Sequence, residues 1–92
     1  MNYEETILRD AHSHCRSNRD EIGRSKVCGC FYCTEIYEPG TINVWLNEGS
    51  GTALCPECQI DSVIGDAAGF PVHDIAFLVA MRKFWFERTV YA

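Results

Sequence analysis

The sequence predicts a small α+β domain: a four-cysteine, treble-clef-like core of knuckle, short β-hairpin and helix, flanked by an N-terminal and a C-terminal helix. Three observations carry this reading. Two tight pairs, Cys30-Phe-Tyr-Cys33 and Cys55-Pro-Glu-Cys58, lie 21 residues apart in a chain of 92. Apolar residues recur at helical spacing on both flanks and at strand spacing between the pairs. A chain this short buries only a thin core, and small scaffolds commonly add a metal or disulfides. With 47% hydrophobic and 23% charged residues it reads as one globular domain spanning 1–92.

The first segment, about residues 3–16, places Ile7, Ala11 and Cys15 at i, i+4 and i+8 with Leu8 beside them, an amphipathic helix. Asn18 and Gly23 loosen that pattern before the cysteines begin. The four-cysteine module spans about residues 27–65. Within it Thr41-Ile-Asn-Val-Trp45 and Thr52-Ala-Leu54 have strand character, and Glu48-Gly-Ser-Gly51 supplies the turn of a hairpin. A helical turn over residues 42–46 is the alternative. After Cys55, Pro56 suits the first position of a helix. Ile60, Val63 and Ile64 follow at i, i+3 and i+4, and Gly65 suits the helix end. Knuckle, hairpin and ligand-bearing helix is the order of a treble clef; in a zinc ribbon the second pair would occupy another hairpin turn. Residues 66–73 connect to a last helix over about 74–88, which Asp74 can cap. Its apolar residues, from Ile75 to Phe86, cover an arc of roughly 220° at 100° per residue, more than one neighbour can bury.

Two CxxC pairs bring four sulfurs to one ion at about 2.3 Å, so the candidate ligands of a single structural Zn2+ are Cys30, Cys33, Cys55 and Cys58. Cys28 competes with Cys30 or Cys33, because Cys-Gly-Cys-Phe-Tyr-Cys offers three thiols in six positions. Iron suits the same four-thiolate geometry. Cys15 reads as a small buried hydrophobe. His12 and His14 are two residues apart, about 200° around a helix, and cannot share an ion. His73 abuts the capping Asp74. No catalytic residue stands out.

Charge restricts the partners. The formal net charge is −5, and zinc bound by four thiolates would make it −7. Residues 27–74 hold seven carboxylates and no Lys or Arg, the wrong sign for a phosphate backbone. The run from Arg16 to Lys26 is the only basic arm, and Asp20 and Glu21 interrupt it. The start, Met-Asn-Tyr-Glu-Glu, lacks the basic and apolar regions of a signal peptide. The longest apolar run, residues 75–81, is far short of a membrane span. Reduced thiols and these absences point to the cytoplasm.

The motifs Cys-Gly-Cys-Phe-Tyr-Cys, Thr-Ala-Leu-Cys-Pro-Glu-Cys-Gln-Ile-Asp-Ser-Val-Ile-Gly-Asp, Gly-Phe-Pro and Met-Arg-Lys-Phe-Trp-Phe together resemble a family of small uncharacterised bacterial cytoplasmic proteins. That resemblance covers most of the chain from residue 11. It implies a treble-clef-like domain with the same four cysteines as zinc ligands. Among treble clefs, HNH endonucleases carry similar pairs but need a hairpin histidine as general base, and no histidine lies between residues 15 and 72. The expected role is therefore a non-enzymatic zinc-binding interaction or adaptor module, engaging a protein partner or a second copy through the C-terminal helix. A nucleic-acid-binding regulator using the basic arm is the second expectation, and a degenerate HNH-like or thiol enzyme using Cys15 or Cys28 the third.

Overall fold

The computed structural model describes residues 3–87. Helix α1 (Glu5–His12) continues as a 3-10 turn, Ser13–Cys15, and a short α2 (Arg19–Gly23) follows. Strands β1 (Cys28–Cys30) and β2 (Ile36–Tyr37) form a hairpin, and β3 (Trp45–Leu46) pairs with β4 (Thr52–Ala53) in a second. Strand β5 (Val63–Gly65) returns to the other edge of β1, giving an antiparallel sheet of order β2-β1-β5. Helix α3 (Ile75–Arg82) runs on as a π-helical turn, Lys83–Glu87. Position 88 of the expected helix lies outside the described residues.

The central sheet separates two cores, and strand alternation explains how. Successive side chains on a strand point to opposite faces. Cys28 and Cys30 therefore face a cluster with Ile22, Ile42, Ala53, Cys55 and Val63. On the opposite face Ile64 joins Leu8, Ala11, Phe31 and α3's Phe77, Leu78 and Met81. Gly29 sits between the two cysteines where β1 meets the helical layer. A Cβ built there would lie 2.7 Å from the Val72 carbonyl oxygen and 2.9 and 3.0 Å from the Leu78 methyls. Gly29→Ala is expected to push α3 off the sheet and cost about 1–3 kcal/mol, as overpacking does. Thermal unfolding of the metal-loaded protein measures it, with Gly23→Ala, which meets nothing within 4 Å, as the neutral control.

Both terminal helices form, and their buried faces follow the expected ones except at Ile7. On α1 the buried positions are Leu8 and Ala11, continued by Cys15, while Ile7 is exposed. Asp74 caps α3 as anticipated, its side chain accepting from the Ala76 amide at 2.9 Å, and Tyr3 donates to the other carboxylate oxygen. The wide apolar arc of α3 is largely consumed within the domain. Phe77, Leu78 and Met81 are fully buried, and Phe84 and Trp85 pack half-buried against the same core. Trp85 Nε1 also donates to the Leu8 carbonyl at 3.2 Å, tying the two terminal helices together.

Two expectations need correction. The helix predicted after Cys58 is absent: residues 56–58 form a turn and Val63–Gly65 are β5. The final helix of a treble clef is therefore not formed among the described residues. Ile60, Val63 and Ile64 are all β-branched, which favours strand over helix. Their i, i+3, i+4 spacing is incidental, since Val63 and Ile64 part to opposite faces of a sheet. Gln59, at φ 65°, is left-handed and stops helical propagation after Cys58. The second correction is α2, which occupies the stretch expected to loosen and buries Ile22. The second hairpin does form, shorter than expected, with Gly51 N donating to the Glu48 carbonyl across its turn.

Candidate metal centre

The two CxxC segments adopt the same backbone shape. In the first, Cys30 N donates to the Glu35 carbonyl at 3.0 Å, Thr34 N donates to the Cys30 carbonyl at 2.8 Å, and Thr34 is left-handed at φ 64°. In the second, Cys55 N donates to the Ile60 carbonyl at 3.0 Å, Gln59 N donates to the Cys55 carbonyl at 2.8 Å, and Gln59 has φ 65°. Each is a knuckle, a tight reversal that turns two thiols and several amides toward one point.

The sulfurs of Cys30, Cys33, Cys55 and Cys58 all lie within 4.8 Å of one another. Across the knuckles, Cys30 Sγ is 3.7 Å from Cys58 Sγ and Cys33 Sγ is 3.7 Å from Cys55 Sγ. A tetrahedron with metal–sulfur bonds of about 2.3 Å has edges of about 3.8 Å. A disulfide needs about 2.05 Å, so these separations fit one shared ion and not two covalent bridges. Cys28 is outside the cluster. It is fully buried two residues before Cys30, and burial, reinforced by Asp66, pushes its thiol up to about 12.

Donors surround the thiols. Tyr32 N and Cys33 N point at Cys30 Sγ (3.4 and 3.5 Å), and Glu57 N points at Cys55 Sγ (3.3 Å). Burial acts to raise the Cys55 thiol, but the Tyr37 hydroxyl and the Cys58 and Glu57 amides outweigh it and hold that thiol below its ordinary value. Burial raises Cys33 against the pull of the Glu35 amide, and raises Cys58 to about 11 against that of Ile60. Amides aimed at sulfur favour thiolate over thiol, which is what a bound cation requires.

The remaining sequence candidates do not converge on this centre. His12 lies against Trp85, ring centroids 3.9 Å apart, and burial lowers its pKa. His14 Nδ1 is 2.9 Å from Glu21, so the two histidines serve separate packing contacts, while His73 is exposed. Cys15 borders a cleft of about 290 Å³ that His12 and Asp61 also line. Its thiol is buried, and burial followed by the Asp61 charge pushes it up to about 11, the reverse of an activated nucleophile. Several of the arginines are engaged locally. Arg19 lies over the Trp45 ring at 4.8 Å, and Arg16 approaches Glu48 at 3.9 Å. Arg82 reaches from α3 to donate to the Tyr32 carbonyl at 2.6 Å and stacks on that ring. The stretch without Lys or Arg thus acquires cations in space from both flanks.

Asn18 was missed as a key residue. Only 2% exposed, it donates to the His14 and Val63 carbonyls and accepts from Ala53 N, joining the 3-10 turn after α1 to β5 and β4. Nothing local in the sequence marks it, because its partners are up to 45 residues away. No family model, curated protein or solved structure matches the chain. No described helix is long and apolar enough to cross a membrane.

Proposed function

We propose that this chain is a non-enzymatic interaction module organised by one zinc ion, held by Cys30, Cys33, Cys55 and Cys58. The convergence of four thiols from two matching knuckles is the observation that carries this reading. Four protein ligands complete a tetrahedral shell and leave no position for substrate, the pattern of structural zinc rather than catalytic zinc. The two thiols outside the cluster, Cys15 and Cys28, are buried and raised, which favours a packing role for both. So many reduced thiols suit a reducing compartment such as the cytoplasm.

The contact surface we assign is the outer face of α3, where Ile75 (57% exposed) and Val79 (36%) stand one turn apart. This surface is narrower than the full apolar arc of the helix, most of which is buried. It engages a protein partner or a second copy of the chain. Sedimentation velocity across concentration tests self-association. The wild type is expected to sediment faster as concentration rises, and Ile75→Ser with Val79→Ser to abolish that trend. A monomer at every concentration, together with native-cell capture that recovers the same proteins with wild type and double variant, would remove this surface from the proposal.

A further inference from the structure

The correspondence between the knuckles extends beyond the cysteines. Seven residues after Cys30 comes Tyr37, and seven residues after Cys55 comes Ser62. Each hydroxyl is directed at the opposite knuckle. Ser62, 1% exposed, has its Oγ 3.1 Å from Cys30 Sγ. Tyr37 packs against the cluster that contains Cys55. The Tyr37 oxygen is nevertheless fully buried and closes no hydrogen bond within the described structure. A buried hydroxyl without a partner is destabilising, so its retention in this core calls for an explanation.

We propose that Tyr37 and Ser62 are a reciprocal pair of hydroxyl donors to the metal-bound thiolates, each knuckle sending one hydroxyl to the first cysteine of the other. The inference rests on the metal-centre reading above. A neutral thiol is a weak acceptor, whereas the thiolate of a bound ion is a strong one, and a charge-assisted bond is about twice as strong as a neutral one. The orphaned Tyr37 hydroxyl is satisfied once Cys55 is a thiolate.

The distribution of donors follows burial. Cys30 and Cys55 are 0% and 1% exposed. Each has two backbone amides and one hydroxyl directed at its sulfur. Cys33 and Cys58 are half-buried, and each has one amide, from Glu35 and Ile60. Four thiolates and one divalent cation leave a net charge of −2. The two sulfurs shut away from water hold the added donors, while solvent reaches the other two. Outer partners of this kind orient ligands and raise affinity, and their loss typically weakens metal binding 10–100-fold.

Zinc affinity by competition with a chromophoric chelator, and the sulfur-to-cobalt charge-transfer bands of the Co2+-loaded protein, test the proposal in wild type, Tyr37→Phe and Ser62→Ala. Each variant is expected to bind zinc about tenfold more weakly. Its charge-transfer bands should also move to lower energy, because a thiolate that loses a donor gives up its electron more readily. A packing defect alone would not produce that spectral shift. If both ions bind with affinities and spectra indifferent to both substitutions, this inference is overturned and the metal centre stands. If the wild type binds neither ion, the metal centre falls and the inference with it. The two variants act on opposite knuckles, so failure of one to fold leaves the other as the test.

Discussion

Replacing Cys30 by serine, or stripping the ion with a strong chelator, is expected to abolish cooperative folding. Structural zinc contributes on the order of 10 kcal/mol of apparent binding energy in small domains. Whole-domain stability is only about 5–15 kcal/mol. The first knuckle closes the β1–β2 hairpin, and the second links β4 to β5. Apart from its cysteines, the buried core on this side of the sheet comprises Ile22, Ile42, Ala53 and Val63 among the described residues, little to hold the knuckles without the ion. Circular dichroism and thermal melting before and after chelation measure the effect. Cys15→Ala, outside the cluster, should leave a metal-loaded protein with a cooperative melt. A fully cooperative transition in Cys30→Ser would sink the idea that the ion holds the fold. The pH dependence follows from the thiols. Cys58 is raised to about 11 and Cys33 is also raised, so both are protonated in the metal-free state near neutrality. Binding must expel those protons, so zinc affinity should rise with pH and fall as acid competes for sulfur.

The four clustered cysteines were legible because a CxxC knuckle is written in four consecutive residues and its geometry is local. Both terminal helices were legible for a similar reason, and Asp74 announced its own cap. Reading failed where a pattern had two meanings. Cys-Pro-Glu-Cys suits the start of a helix, but it equally suits a knuckle. The left-handed Gln59 and the β-branched pair Val63-Ile64 decide for the latter. The apolar arc of α3 was read correctly as too wide for one neighbour. Its partners are α1, Phe31 and Ile64, which only the folded chain assembles. The charge map failed differently, since a stretch without cations in sequence receives Arg19 and Arg82 from outside it. The link between the hydroxyls and the opposite knuckles depends on how β1 and β5 pair, which no local motif encodes.

Asn18→Ala is the substitution expected to cost most outside the metal centre. The Asn18 side chain donates to the His14 carbonyl at 3.0 Å and the Val63 carbonyl at 2.9 Å, and accepts from Ala53 N at 3.1 Å. These groups belong to the end of the N-terminal helical segment, the central sheet and the second hairpin, so this one side chain bridges all three. Neighbouring bonds tighten the same junction, with Ser17 N donating to Thr52 Oγ1 at 2.8 Å and Arg19 N to the Gly51 carbonyl at 3.0 Å. Truncation to alanine removes three bonds and opens a cavity where water has little access. Each orphaned buried group costs about 1–3 kcal/mol, so a total of about 3–5 kcal/mol is expected. Asn18→Asp separates charge from shape. Its carboxylate still accepts from Ala53 N, but it faces two carbonyls that no longer have a donor, and a buried unpaired charge is costly. Aspartate is therefore expected to be at least as damaging as alanine. Denaturant unfolding of the metal-loaded proteins measures the cost, and amide exchange at Ala53 locates it. Loss of protection there in alanine but not in aspartate would identify the Oδ1 contact as the one that holds the second hairpin to the sheet. Equal protection in both would instead place the stabilisation in the two donated bonds, which both variants lack.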